Sequence, residues 1–579
     1  MTNAKIADIF DQIADLLEFK DANPFRVRAY RKGARLIRDL PEPVAGILAD
    51  PKRDLTEIEG IGKDLAGKCA SLVETGRLEM LDELLEDTPR SVLDLMRVPG
   101  LGPKKAAAVF RELNVATLEQ LQAACEAQAV RKLKGFGAKT EAAILDGLQI
   151  AQAASQRLLW SQANVLAEEL REHLRTSLDG GQLELAGSYR RRRETVGDLD
   201  ILVTAAVPDR VMDRLAEYES VDSVIARGDT KMSVRLGNGF QVDLRVVPEE
   251  SFGAALQYFT GSKDHNVVLR GRAKQRGLKV NEYGVFRVED DKYVAGRTEE
   301  DVYAALELPC FPPELREARQ EFDWAEHGAL PGLIETRDIL GDLHMHTHAT
   351  DGTASIEEMV AAAKARGLQY VAITDHSQRV SMARGLDSKR LVEQWKEIDR
   401  LNQESDDTFV ILKGIECDIL EAGGMDLPDD VLAQADWVLA SVHYGQKQSL
   451  RQITERILGA VENPYVTAIA HPTGRLLNRR DPYDVDLDRV FQAVKRHGKW
   501  LELNANPYRL DLNDVHCATA KRLAIPVVIN TDAHSTDGLD VMRFGINQAR
   551  RAGLTKDDVA NTRPWAQFKT MLEQVRRHV

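Results

Sequence analysis

None of the 13 histidines precedes His173, and nine lie between His344 and His534. In that stretch a polar residue closes one apolar run after another: His376 ends YVAITDH, Glu416 ends FVILKGIE, His443 ends DWVLASVH, His471 ends YVTAIAH, and Asp532 and His534 close PVVINTDAH. Helical patterns separate these runs, so the stretch reads as βα units packed as a parallel sheet or barrel. In a barrel the C-terminal strand ends converge on one face, and residues far apart in sequence meet in one pocket. The segment DLHMHTHATDG adds His344, His346 and His348, whose alternation puts them on one side of an extended chain. Imidazole and carboxylate together suit borderline divalent metals such as zinc or manganese. The five cysteines lack CxxC spacing, so any metal is held by His and carboxylate.

These residues resemble the PHP (polymerase and histidinol phosphatase) family of phosphoesterases. The resemblance implies a distorted (βα)7 barrel over residues 337–579 and up to three Mn²⁺ or Zn²⁺ ions. Their ligands would be His344, His346, Asp351, His376, Glu416, His443, His471, Asp532 and His534. His348 lies outside the matched set and either supports the ligands, faces the substrate or sits at the surface. Arg384 and Arg475, near ligand loops, are candidates to bind the rest of the substrate. Bound ions of this kind lower the pKa of water from about 15.7 to about 7, the chemistry of phosphoester hydrolysis.

At roughly 100–200 residues per domain, 579 residues make three to five domains. Up to about residue 175 the pattern is helical, with Ile6, Ile9, Phe10, Ile13, Leu16 and Leu17 at three- and four-residue spacing. Three turns recur: IEGIGKDLAGK with Gly60, Gly62, Lys63 and Lys68; VPGLGPKKAAA with Gly100, Gly102, Lys104 and Lys105; and LKGFGAKTEAA with Gly135, Gly137 and Lys139. Paired glycines allow a sharp turn and leave the next helix's first amides bare for a phosphate. A following lysine adds charge without reading a base. This is the pattern of helix-hairpin-helix DNA binding. The net charge of −14 excludes a polycation that coats nucleic acid, so basic surfaces are local, as in Arg190 to Arg193 and in the stretch 263–279.

Between these regions, AGSYRRRRETVGDLDILVTA places Asp198 and Asp200 on one face of a strand, and FQVDLRVV supplies Asp243. Three converging carboxylates suit two Mg²⁺ ions for phosphoryl transfer. The residues from Gly187 to Asp200, with the later run LQYFTGSKDHNVVLRGRAKQRGLKVNEYGVF, resemble family X DNA polymerases of the DNA polymerase beta type. The resemblance covers roughly residues 1–310. It implies that Asp198 and Asp200 bind both metals, and that Asp243 binds the catalytic one and accepts the primer hydroxyl proton. Gly187, Ser188 and Arg191 would hold the triphosphate, Tyr258, Phe259 and Gly261 the sugar and base, and Asn266 and Arg270 the minor-groove side of the new pair. Lys68 matches the family's abasic-site lyase lysine, with a plain phosphate contact as the alternative. The interval from Asp198 to Asp243 is shorter than in the animal enzyme, which predicts a trimmed sheet.

The expected molecule is multidomain α/β: a helical helix-hairpin-helix region, a mixed-sheet nucleotidyltransferase palm and a distorted barrel. Its parts are a helix-hairpin-helix DNA-binding domain similar to the small lyase domain (1–95), a second helix-hairpin-helix unit (96–155), the palm (156–248), a nucleotide- and template-binding subdomain (249–310), a Pro-rich acidic linker (311–336) and the PHP domain (337–579). The two resemblances follow the order of bacterial family X polymerases that carry a C-terminal PHP domain. They imply a repair polymerase filling short gaps from dNTPs on gapped or nicked DNA, with 3′-5′ exonuclease and abasic-site cleavage in the barrel. A nuclease whose palm only positions DNA and a small-molecule phosphatase with a helical tether are the rival readings. The acidic, helix-patterned N-terminus and the absence of a long apolar stretch fit a cytoplasmic, nucleoid-associated protein without a membrane partner, and net charge and composition fit a monomer.

Overall fold

The computed structural model describes residues 3–38, 44–49, 53–58, 60–86, 88–89, 91–96, 98, 101–154, 157–404 and 409–577. Gly100, expected in the second glycine turn, lies outside them. The first helix, Asn3–Phe19, has two apolar faces. Ile6, Phe10, Ile13 and Leu17 join a core with Tyr30, Ile37, Leu65 and Leu72, while Leu16 and Phe19 enter a second core with Val109, Leu121 and Ile144. One helix therefore braces both helix-hairpin-helix units.

The palm is a mixed five-stranded sheet in the order Leu183–Leu185, Asp198–Val203, Gln241–Val246, Lys231–Leu236, Val221–Arg227. Only the central pair, Asp198–Val203 with Gln241–Val246, is parallel. The short interval between Asp198 and Asp243 holds helix Pro208–Ala216 and the strands Val221–Arg227 and Lys231–Leu236. Next come helices Phe252–Thr260 and Lys263–Gln275, a three-stranded antiparallel sheet (residues 278–295) and helix Glu299–Ala304, packed around Leu269, Val302, Tyr303 and Leu306.

The segment expected as a linker is folded onto this last core. Phe311 and Phe322 belong to it, and Glu314, Arg316 and Glu321 are buried. Its charged residues are neutralised by partners distant in sequence, a pattern that chain periodicity does not carry. Arg316 and Arg190 share Glu299, Arg550 reaches Glu314 at 2.8 Å, and Arg551 reaches Glu317 at 3.0 Å.

Seven parallel strands follow in sequence order: Gly341–Asp342, Tyr370–Ile373, Val410–Asp418, Trp437–Ser441, Ala468–Ile469, Trp500–Asn504 and Val527–Asn530. The ring closes through a parallel bridge between Met345 and Ala533, where Asp532 N–H donates to the His344 carbonyl at 2.9 Å and His346 N–H to the Ala533 carbonyl at 2.8 Å. This is the expected distorted barrel. Alternate strand residues divide between two cores. Tyr370, Trp437, Leu439, Trp500 and Val528 face inward, whereas Val371, Val438, Leu501 and Val527 meet the outer helices. The last helix, Trp565–Arg577, fills the interior with Phe568, Leu572 and Val575, and Phe568 stacks on Tyr370 at 4.6 Å between centroids. With one end plugged, the polar strand ends remain as the functional face. Among the described residues no helix is long and apolar enough to cross a membrane.

Candidate active sites

On strand Asp198–Val203, Leu199, Ile201 and Val203 enter the palm core while Asp198 and Asp200 take the opposite face. Asp243 on the adjacent parallel strand is in register with Asp200, so the three expected carboxylates come together. Asp243 accepts hydrogen bonds from the Ser233 hydroxyl and, at 3.1 Å, from Gln241 Nε2. Burial, then the charges of Asp198 and Asp243, push Asp200 up to about 7, and burial with the Asp243 charge also raises Asp198. Crowded carboxylates with this little counter-charge fit a hard divalent cation that takes oxygen ligands.

Gly187 begins the short helix Gly187–Arg190 at φ 63°, and a Cβ there would overlap Asp200 Oδ2. Ser188 lies in the same turn, half-buried. Tyr258 and Phe259 meet edge to face at 5.1 Å, with the Arg245 guanidinium 4.3 Å over Phe259. Asn266 Nδ2 donates to the Tyr258 carbonyl at 2.7 Å and to that of Gly261 at 3.3 Å, so this side chain braces the segment beside it. Arg270 is exposed on helix Lys263–Gln275. The four consecutive arginines are already engaged. Arg190 forks onto Glu299, Arg191 donates to Glu317 at 3.0 Å and to the Thr260 carbonyl at 2.8 Å, Arg192 to Asn547 at 2.7 Å, and Arg193 lies 4.0 Å from Glu317.

In the helical region each second glycine stands just before a helix: Gly62 before Lys63–Thr75, Gly102 before Pro103–Leu113 and Gly137 before Ala138–Ala154. Gly60 and Gly135 take φ of 102° and 85°, the left-handed geometry expected of the turns. Lys63, Lys104 and Lys139 are exposed beside these helix starts, and Lys105 lies 5.9 Å over the Phe136 ring. Lys68 pairs with Asp64 and lies 5.7 Å over Tyr30. Burial pulls its pKa down, but Asp64 and Tyr30 outweigh it and hold the amine charged above its ordinary value.

In the barrel, His376, His443 and His471 stand two or three residues beyond their strands, while Glu416 lies within Val410–Asp418. His471 and Asp532 take positive φ of 28° and 55°, turning their side chains back over the barrel mouth. Three overlapping groups form with donor atoms within 4.8 Å of one another: His346, Asp351, His376 and His534; His344, His346 and Glu416; His376, Glu416 and His443. His471 Nε2 lies 2.9 Å from Glu416 Oε1, and Asp532 Oδ1 3.2 Å from His346 Nε2, so all nine expected ligands meet. His348 does not join them, because the turn beginning there takes it off the face shared by His344 and His346; its Nδ1 donates to the Ala354 carbonyl at 3.2 Å.

Several ligand atoms are buried without a well-formed hydrogen bond: His344 Nε2, His346 Nδ1, Glu416 Oε2 and His471 Nδ1. Such orphaned polar atoms cost stability unless an ion uses them. Imidazole and carboxylate in three overlapping sets fit a divalent cluster of borderline character. Burial raises Glu416, but His443, His376 and His344 hold it well below its ordinary range. Burial likewise opposes charge on His344, yet Glu502, Asp532 and Glu416 raise it well above its own. His346 is lowered to about 4 by burial and by His376 and His534.

Sequence reading missed the supporting residues. Glu502 accepts from His344 Nδ1 at 2.7 Å and from His471 N–H at 2.9 Å, and Asp418 accepts from His443 N–H at 2.9 Å. It also missed Arg509, which lines a pocket of about 360 Å³ with Met382 and seven of the ligands and lies 3.3 Å from Asp532 Oδ2. Arg509 follows strand Trp500–Asn504, and that placement is the signal that could have found it. The two arginines expected near the substrate are used elsewhere. Arg384 donates to the His348 and Thr350 carbonyls, and Arg475 to Glu194 of the palm.

Comparison with known proteins agrees with this architecture part by part. Family models match a helix-hairpin-helix domain over residues 1–78, a SAM-like helix-hairpin-helix tandem over 92–149, a DNA polymerase beta thumb over 255–317 and a PHP domain over 342–506. A probable phosphatase of Thermoanaerobacter sp. (strain X514) is 29% identical over 255 residues, 41% of this chain and 96% of the relative. Another, from Acetivibrio thermocellus, is 31% identical over 212 residues, 35% of this chain and 82% of the relative. The DNA polymerase/3′-5′ exonuclease PolX of Bacillus subtilis (strain 168) is 41% identical over 576 residues, 99% of this chain and all of the relative. With helix-hairpin-helix units, palm, thumb and barrel in one order along matched lengths, the chain belongs to the family X DNA polymerases that carry a C-terminal PHP domain.

Proposed function

We propose that the palm extends a DNA primer by template-directed nucleotide addition at short gaps and that the barrel shortens 3′ ends by phosphodiester hydrolysis. The observation that carries this reading is the presence, in one chain, of two separate donor clusters of different chemistry: three carboxylates in the palm, nine imidazoles and carboxylates in the barrel. In the palm, Asp198, Asp200 and Asp243 would hold Mg²⁺, and Asp243, fixed by Ser233 and Gln241, takes the primer hydroxyl proton. Gly187 and Ser188 lie beside Asp200 where a nucleotide's phosphates would sit. Arg191 must part from Glu317 to reach them, and Tyr258 and Phe259 pack the sugar.

In the barrel, up to three Mn²⁺ or Zn²⁺ ions would be held by the nine ligands, with Glu502 and Asp418 orienting His344 and His443. Divalent ions there supply Lewis acidity and a more acidic water. Arg509 offers a guanidinium to a phosphate oxygen, and Met382, 90% exposed on the pocket wall, packs against the terminal nucleotide. The helical turns hold the DNA backbone on both sides of a gap. Lys68, held charged at rest, serves as a phosphate contact, and a lyase role requires DNA to displace Asp64 first. Abasic-site cleavage, action on nicked DNA, a monomeric state and a cytoplasmic, nucleoid-associated location belong to the same reading.

The test is a labelled one-nucleotide-gapped duplex with Mg²⁺ or Mn²⁺, with and without dNTPs. Asp200→Ala is expected to lower extension at least about a thousandfold and leave shortening intact, and His344→Ala to do the reverse. Retention of both activities by both variants would refute the assignment.

A further inference from the structure

Arg509 sits on a loop whose next residue is strained. Leu510 adopts φ 41°, left-handed backbone that a bulky side chain enters only under strain. Something outside the loop must hold it, and Arg475 does. Its Nε donates to the Arg509 carbonyl at 2.9 Å and its Nη2 to the Leu510 carbonyl. The same guanidinium forks onto Glu194, with Nη1 3.1 Å from Oε1 and Nη2 2.8 Å from Oε2. Glu194 is a palm residue, between the arginine run and the Asp198 strand, and Gln548 Nε2 donates to its Oε2 at 2.9 Å. Arg475 is only 8% exposed, so this carboxylate compensates its buried charge and sets its direction. Three residues farther along, past Leu476 and Leu477, Asn478 Nδ2 donates to the carbonyl of Arg157, again outside the barrel.

We propose that Glu194 of the palm is a positioning residue for hydrolysis in the barrel: through Arg475 it fixes the 509–510 loop and so aims Arg509 at the substrate phosphate. The proposal rests on the assignment of phosphate binding to Arg509. A guanidinium placed about 1 Å off loses much of its effect on a charged transition state, so the palm would tune an active site to which it contributes no ligand. A carboxylate that merely joined two domains would leave hydrolysis of a small substrate unchanged.

The experiment uses the full chain loaded with Mn²⁺ and two probes: labelled DNA for 3′ shortening, and bis(p-nitrophenyl) phosphate, which is too small to engage the palm. Glu194→Gln is expected to lower kcat about tenfold on both probes, with KM for DNA nearly unchanged and Mn²⁺ content as in the parent. Glu194→Asp should recover part of the loss. Arg475→Lys, which keeps a charge for Glu194 but cannot hold both carbonyls, should lose a similar factor. In an Arg509→Met background Glu194→Gln should add nothing. Full activity of Glu194→Gln on the small probe, a loss confined to KM for DNA, or a loss that adds to that of Arg509→Met would each overturn the proposal. If Arg509→Met alone keeps full hydrolysis, the phosphate assignment fails and the proposal with it, a result distinct from a silent Glu194 in a protein that does need Arg509.

Discussion

The palm and the barrel hold their carboxylates in opposite ways. In the palm, Asp198 and Asp200 are pushed toward protonation, first by burial and then by neighbouring acids. In the barrel, Glu416 is buried more deeply still, yet three histidines hold it well below its ordinary range. The palm cluster is thus short of positive charge until cations arrive, while the barrel cluster has imidazoles interleaved with its acids and is assembled before any substrate binds. An all-oxygen set suits magnesium, which keeps several waters and shares ligands with substrate phosphates. A histidine-rich set binds a softer ion by itself.

That contrast predicts different responses of the stripped protein to metal. Mn²⁺ at about a thousand times its Kd should stabilise the barrel by about 4 kcal/mol without DNA or nucleotide. Mg²⁺ alone should give little until primer and nucleotide are present. Thermal unfolding after chelation, with each ion added back, reads the difference. A large Mg²⁺ effect without substrate, lost in Asp200→Ala, would erase the distinction between the two sites.

Most of the barrel's metal face was legible because His376, Glu416, His443, His471, Asp532 and His534 close apolar runs, and a strand end is a local signal. The palm acids were legible because two-residue spacing on a strand is equally local. What escaped was long-range. Glu502 reads as one more inward strand residue until His344 is found against it. Glu194 and Arg475 are 281 residues apart, and no periodicity joins them. The segment 311–336 looked like a linker because its acids break the apolar pattern, although Glu314 and Glu317 are buried against arginines from both neighbouring domains. His348 misled in the other direction, since alternation predicts a face only while the chain stays extended.

The arginine-carboxylate seam between the two sites gives a second, somewhat smaller effect. Burial raises Glu317, but Arg551, Arg191 and Arg193 overcome it and bring it down to about 2 from 4.5. A carboxylate depressed on folding stabilises the native state above its unfolded pKa and loses that contribution as the pH falls through its folded value. The window here runs from about 4.5 down to about 2, and the contribution near neutrality is about 3 kcal/mol. Denaturant unfolding of the parent and of Glu317→Gln should therefore differ most at neutral pH, and by less than half as much near pH ~3. A difference independent of pH would mean that the palm and the barrel are not joined through this charge.

The smallest effect tests how tightly the palm is built before cations arrive. Gly187 needs its missing side chain twice over: φ of 63° disfavours any Cβ, and the space a Cβ would take belongs to Asp200 Oδ2. Gly187→Ala must therefore move either the turn carrying Ser188 or the Asp200 carboxylate, and either shift separates the place for the phosphates from the place for the cations. The backbone cost is about 1–2 kcal/mol, so extension should fall about tenfold or somewhat more through kcat, while Mn²⁺-dependent shortening in the barrel is unchanged. If nucleotide KM rises instead and kcat holds, the turn has yielded and Asp200 has not. The palm acids would then be as firmly preset as the histidines, and the contrast between the two sites would rest on charge alone.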